Sequence, residues 1–204
     1  MEKENKQEME QRTFQIRNLQ VRDNSSGKGA TIGGYAAVFN QYTTIRDRWG
    51  DEFQEQIVPG AFEEALENNS ILALYNHDWS NVLARKDVNM TLQEDDVGLK
   101  FEINLPDTQL SRDLSQLMAE GIVNQCSFGA YVKKNEWKFT EDGDFRILQE
   151  LDLREITITP IPAYPQTNAE VRSVKGDQPV DKNWEKRKQE IINKYSKYTN
   201  KGDM

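Results

Sequence analysis

The chain holds one histidine, His77, among its 204 residues, so a reaction needing imidazole as proton carrier near neutral pH has one candidate. Serine attack on a carbonyl needs such a base within hydrogen-bond reach. It also needs a third group to fix the imidazole tautomer, and the three usually arrive from different strands or loops. Ser127 lies 50 residues after His77, and Glu155 lies 28 residues after Ser127. In Leu153 to Thr159, alternation groups Glu155 with Thr157 and Thr159, opposite Ile156 and Ile158, so Glu155 points away from the apolar face and can turn toward His77. Each residue also has an ordinary structural role. A histidine before Asp78 at a strand end serves as a hydrogen-bonded loop residue, a strand serine as a cross-strand partner, and a sheet glutamate as a solvated carboxylate. Spacing alone leaves both readings standing.

Other chemistries fit less well. Alternation puts Cys126 on the apolar face of its strand, as a small buried hydrophobe rather than a nucleophile. Asp78 beside His77 suggests a metal ligand, but one histidine and one cysteine leave only carboxylates to complete a site, so no metal and no cofactor are expected. Lys and Arg number 26 against 34 Asp and Glu, a net charge of -8, which offers no general attraction to a phosphate backbone and argues against nucleic acid as partner. No apolar run approaches the roughly 18 residues of a membrane span. A single cysteine forms no intramolecular disulfide, which fits a cytosolic setting.

The elements that must position these residues are mostly strands. The 36% hydrophobic content suits one compact domain with extensions. Residues 1–12 are charged, lack an apolar signal-peptide core, and read as a disordered lead-in. Phe14, Ile16, Leu19 and Val21 keep period two on either side of one slip, predicting a bulged strand over Thr13–Asp23. A second strand is predicted over Ile32–Phe39, whereas residues 40–56 show no period. Pro59-Gly60 opens a short helix with Phe62, Ala65 and Leu66 on one face.

Ile71–Tyr75 reads as a strand that ends at Asn76-His77-Asp78, and two short strands are predicted between Val82 and Leu92. Asp95 to Gly98 is a turn before the clean alternation of Leu99, Phe101, Ile103 and Leu105. Asp107 or Thr108 caps a helix carrying Leu110, Leu114, Leu117 and Met118, with Gly121 as its stop. Ser127, Gly129 and Tyr131 share one strand face, with Cys126, Phe128, Ala130 and Val132 on the other. Trp137–Thr140 and Phe145–Leu151 flank a hairpin turn, and Leu153–Thr159 is one more strand. Pro160, Pro162 and Pro165 then stop pairing. A polar stretch leads to a segment in which Trp184, Lys188, Ile191, Tyr195 and Tyr198 fall at helical spacing. Lys182 to Lys201 holds seven basic residues against Glu185 and Glu190, a net of +5. Residues 169–204 are therefore expected to form a flexible tail with a basic amphipathic helix.

Six blocks then occur in one order. They are Gly34-Tyr35-Ala36-Ala37-Val38-Phe39, Ile57-Val58-Pro59-Gly60-Ala61-Phe62, Leu74-Tyr75-Asn76-His77-Asp78, Asp95-Asp96-Val97-Gly98-Leu99 followed by Leu105-Pro106-Asp107-Thr108, Gln125-Cys126-Ser127-Phe128-Gly129-Ala130, and Leu153-Arg154-Glu155-Ile156-Thr157 with Pro162-Ala163. Over roughly residues 30 to 168 the chain resembles the prohead proteases of tailed phages, whose histidine and serine align with His77 and Ser127. It departs from the commoner pattern in Cys-Ser-Phe-Gly-Ala, where Leu-Ser-Ile-Gly-Phe is typical, and in Ile-Thr-Ile, where Val-Ser-Leu is typical. Both changes keep the polar and apolar alternation.

The resemblance implies a β-rich α+β fold like herpesvirus assemblin, an antiparallel β-barrel with a few surrounding helices, over a protease domain of residues 13–168. It implies a serine endopeptidase in which Ser127, His77 and Glu155 are catalytic, with Asp152 as the second candidate for the third place. Its expected setting is the assembling prohead in the host cytoplasm. Its expected partners are the major capsid protein with its scaffolding segment, and further copies of itself as a homo-oligomer. Self-trimming is part of the same expectation. In the loop after the last strand Pro160 and Pro162 lack N–H groups, leaving Ile161 or Ala163 as main-chain oxyanion donors there. Two other classes fit parts of the pattern: an inactive scaffold-like morphogenesis protein of the same fold, and a binding module acting through the basic tail.

Overall fold

The computed structural model describes residues 9–23, 29–46 and 51–160, together with Lys186, Gln189 and Glu190. Two sheets share one apolar core. The larger has seven strands in the order β1-β10-β11-β5-β4, with β6 and β7 continuing from the far part of β11. Its strands are β1 (Glu10–Gln15), β4 (Thr43–Arg46), β5 (Glu52–Ile57), β6 (Leu72–Tyr75), β7 (Asp78–Arg85), β10 (Gln125–Thr140) and β11 (Gly143–Thr159). The smaller is β2-β3-β9-β8, from Arg17–Asp23, Ala30–Val38, Gly98–Asn104 and Met90–Glu94 respectively. Pairings among the described residues do not close into a barrel; they leave two sheets.

The slip in the first alternating segment is the corner between these sheets. Ile16 sits between β1 and β2, buried, and its N–H donates to Asn124 O at 2.8 Å, so the chain changes sheet where the period changes phase. β1 begins at Glu10, inside the stretch expected to be disordered. Composition misleads there because Arg12 is buried against Glu55 and Glu10 instead of facing water. β4 and β5 also lie where no period was legible. β5 pairs parallel to β11 from Phe145↔Gln54 to Leu148↔Ile57, an arrangement that depends on a partner 91 residues away.

β10 and β11 form one long antiparallel hairpin rather than four shorter strands. Three register shifts, at Gly129/Ala130, Val132/Lys134 and Lys134/Asn135, absorb the phase breaks that look like strand ends in the sequence. The apolar face carries Cys126, Phe128, Leu153, Ile156 and Ile158, all buried. Phe128 anchors it, stacked on Phe14 at 6.1 Å and meeting Phe62 edge-on at 5.4 Å. Burying one such ring is worth about 2–3 kcal/mol.

The longer helix behaves as its end signals predict, whereas the shorter one starts at Glu63, beyond the Pro59-Gly60 turn. In α2 (Gln109–Ala119) the Thr108 side chain accepts from Ser111 N, and Gly121 at φ +74° ends the helix. There Gly121 N–H reaches Met118 O and Ile122 N–H reaches Leu117 O, closing a Schellman motif. α1 (Glu63–Asn68) has no side-chain cap of its own. Glu94 of β8 instead accepts from Gly60 N and Phe62 N, both at 2.7 Å, which makes the Pro-Gly-Ala-Phe block an anchoring loop. Lys186, Gln189 and Glu190 are helical; the rest of the expected tail lies outside the described residues.

Candidate active site

The face of β10 and β11 opposite the core carries the polar row. Ser127 pairs with Thr13 of β1 on one side and Thr157 of β11 on the other, and Gly129 pairs with Gln11 and Glu155. Directly opposed residues in a sheet project from the same face, so Ser127, Thr157 and Glu155 share one surface. β6 borders the row with apolar side chains, placing Leu74 beside Thr157 and Leu72 beside Glu155. Ser127, Glu155 and Thr157 are all buried.

His77 reaches this face from a two-residue hairpin turn. Tyr75 pairs with Asp78, and the two residues between them, Asn76 and His77, have φ of +55° and +56°. Positive φ at both central positions marks a type I′ turn, whose preferred pair is Asn-Gly. Histidine in the glycine position costs on the order of 1 kcal/mol, so the surroundings must hold it. They do so at three points. Asn76 N–H donates to Ile158 O at 3.1 Å, and Thr159 Oγ1 donates to Asn76 Oδ1 at 3.2 Å. Asp78 accepts from Ser80 N, Ser80 Oγ and Asn81 Nδ2. The Ser80 hydroxyl, then its N–H, hold the exposed Asp78 carboxyl below its ordinary range, so this aspartate serves the turn.

His77 Nδ1 donates to Glu155 Oε1 at 2.9 Å, and Thr157 Oγ1 donates to Glu155 Oε2. With Nδ1 as donor, the neutral ring presents Nε2 as a free base. Ser127 Oγ is fully buried and has no hydrogen-bond partner among the described residues. An unpaired buried hydroxyl costs about 1–3 kcal/mol, a cost that marks a candidate functional group. The structure thus joins His77 to Glu155 and sets Ser127 on the same face, one strand from Glu155, without a bond to the imidazole.

Asp152 is engaged elsewhere, accepting from Asn69 Nδ2 and from Arg154, both at 2.6 Å. Cys126 is buried on the core face; burial first, and then the charge of Glu155, push its thiol far above the ordinary range. Among the described residues no group of three or more His, Cys, Asp or Glu could hold a metal ion. No helix among them is long and apolar enough to cross a membrane.

The family model of the caudovirus prohead serine proteases matches residues 17–182. The chain belongs to that family. The matched segment carries His77, Ser127 and Glu155, whereas β1, which flanks Ser127, precedes it. The chain is also similar in fold to the solved capsid assembly protease gp21 of bacteriophage T4, with a TM-score of 0.52 and 13% identity, covering 74% of this chain and 97% of that one. No protein of curated function matches the sequence. In this prohead protease, two residues that lie against Glu155 carry no sequence signal strong enough to single out: Thr157, which reads as an ordinary strand threonine, and Gly129. A glycine inside a strand does mark a close approach by another group, and that was the available cue. The loop candidates Ile161 and Ala163 lie outside the described residues.

Proposed function

We propose that the chain is a serine endopeptidase of phage head maturation that cleaves the capsid precursor at its scaffolding segment, and cleaves itself. The observation that carries this reading is the His77–Glu155 hydrogen bond on the buried face that also holds the unpaired Ser127 hydroxyl. Ser127 is the nucleophile, His77 the base, and Glu155 the group that fixes the ring. On substrate binding, Nε2 takes the Ser127 proton as Oγ bonds to the scissile carbonyl carbon. The imidazolium, stabilised by Glu155, then protonates the leaving amine as the C–N bond breaks. Water, deprotonated by the same ring, hydrolyses the acyl-enzyme. Ser127 Oγ must turn to meet the imidazole, and such bonds commonly tighten only in the substrate complex. The setting in this reading is the interior of the assembling prohead, and the partners are the capsid precursor and other copies of the protease.

The test is co-expression of capsid precursor with the wild type, Ser127→Ala and His77→Ala. Each variant should abolish processing while remaining folded, because the members of such a unit fail together. Normal cleavage by purified Ser127→Ala would sink the assignment. The unbonded Ser127 also suits an inactive, scaffold-like protein of the same fold; shells that assemble and mature equally well with Ser127→Ala would favour that reading.

A further inference from the structure

Gly129 stands directly opposite Glu155 in the β10–β11 ladder. Such neighbours normally both project side chains, about 5 Å apart at Cβ. Here one is missing, and the other fills its place. A methyl group built on Gly129 would lie 2.5 Å from Glu155 Oε1 and 3.2 Å from Cδ, so the carboxyl group lies across the Gly129 backbone. The same point is 3.1 Å from Met9 Sδ, so the thioether borders that space from the residue preceding β1. Gly129 is not among the residues with positive φ, so what a side chain here would change is the position of the Glu155 carboxyl, not the backbone conformation.

The two carboxylate oxygens have separate duties. Oε1, the atom over Gly129, accepts from His77 Nδ1. Oε2 accepts from Thr157 Oγ1, two residues along β11 on the same face. We propose that Gly129 is a positioning residue: by omitting a side chain it provides the seat from which Glu155 reaches His77, with Thr157 fixing the second oxygen. The proposal rests on the reading of Glu155 as the group that orients the histidine.

The experiment compares Gly129→Ala, Thr157→Val, Thr157→Ser and Glu155→Gln in the full chain. Three readouts are taken: capsid-precursor processing, thermal melting, and the Nδ1–H resonance of the ¹⁵N-labelled imidazole, which one histidine makes unambiguous. Gly129→Ala should lose about 100-fold in processing, the size of loss that an ångström of misplacement causes, and should move or erase the Nδ1–H signal in a folded protein. Thr157→Val should lose about tenfold, and Thr157→Ser, which keeps the hydroxyl, should match the wild type. A folded Gly129→Ala with wild-type processing and an unchanged resonance overturns the proposal. Should Gly129→Ala fail to fold, the threonine pair decides: equal processing by Thr157→Val and Thr157→Ser overturns it. Wild-type processing by Glu155→Gln instead overturns the underlying reading of Glu155. An impaired Glu155→Gln beside unimpaired Gly129→Ala and Thr157→Val defeats the positioning proposal alone.

Discussion

Glu55 and Glu155 are both buried in the seven-stranded sheet, with side chains 4% and 1% exposed, yet they keep different company. Glu55 accepts from Arg12 Nε, from Arg12 Nη2 at 3.0 Å and from Arg146 Nη1 at 3.1 Å. Both guanidiniums also bind Glu10, and Arg146 Nε donates to Asn135 Oδ1 at 3.3 Å. Two cations meet two anions in a set that ties β1, β5, β10 and β11 together. Among the described residues no guanidinium bonds to Glu155. It has an imidazole, a threonine hydroxyl and a bare glycine backbone. An arginine is permanently charged, so the Glu55 set holds strands. A histidine can gain and lose its charge within a turnover, so the Glu155 set can do work.

The contrast breaks first at Arg146. Arg146→Met should cost about 3–5 kcal/mol, because it strands Glu55 and Glu10 with half their positive charge, while folded protein at low temperature should still process the capsid precursor. Denaturant melts alongside processing assays check this. A folded Arg146→Met that is inactive would place the ion set in the chemistry. Glu155→Gln should do the opposite, costing on the order of 100-fold or more in processing with a small change in melting. Asp152→Asn should stay near wild type, since Asp152 serves Asn69 and Arg154. The reverse order in these two variants would move the orienting role to Asp152.

How much of this could be read from the sequence follows the same division. His77, Ser127 and Glu155 stand out because one histidine narrows the search and strand alternation puts Ser127 and Glu155 on polar faces, and the structure brings those polar faces together. The joining of His77 to Glu155 depends on a type I′ turn at Asn76-His77, which no local pattern announces because histidine occupies the glycine position. The ion set was illegible for a related reason. Glu10 and Arg12 look like solvated charges, and Glu55 lies in a stretch without a period, because their partners come from a parallel pairing distant in sequence. Register shifts within β10 and β11 hid two continuous strands behind apparent breaks. Cues within one strand and the hairpin turn between Thr140 and Gly143 were legible; those set by partners distant in sequence were not.

Acid should separate the two regions further. Burial tends to raise the Glu10 carboxyl, but the charges of Arg12 and Arg146 outweigh it and bring it from 4.5 down to about 2. A carboxyl depressed on folding contributes stability above pH 4.5 that is lost as the pH falls through 2. Glu10→Gln should therefore be less stable than the wild type at neutral pH, and the gap should close only as the pH falls below about 2. The gap should be smaller than that of Arg146→Met, because the Glu10 side chain is 27% exposed and partly screened. Urea melts across that range measure it, and a gap that did not change with pH would show that Glu10 carries no charge-dependent role.

A small effect is also expected at the neighbour of the proposed nucleophile. Cys126 and Ser127 are adjacent, so they face opposite sides of β10, and Cys126 opposes Phe14 and Ile158 across its two ladders. Its thiol is held protonated by burial and by the charge of Glu155, and a protonated buried thiol is a poor nucleophile. Cys126→Ala should leave processing within a few-fold of the wild type and cost about 1–2 kcal/mol for the small gap it opens in the core. Alkylating reagents should leave native protein active and should label the residue only after denaturation. Rapid labelling of the native protein with loss of processing, or a folded Cys126→Ala as inactive as Ser127→Ala, would put the reacting atom on the core side of β10. The Glu155 face would then be a structural surface like that of Glu55, and the distinction between the two glutamates would fall.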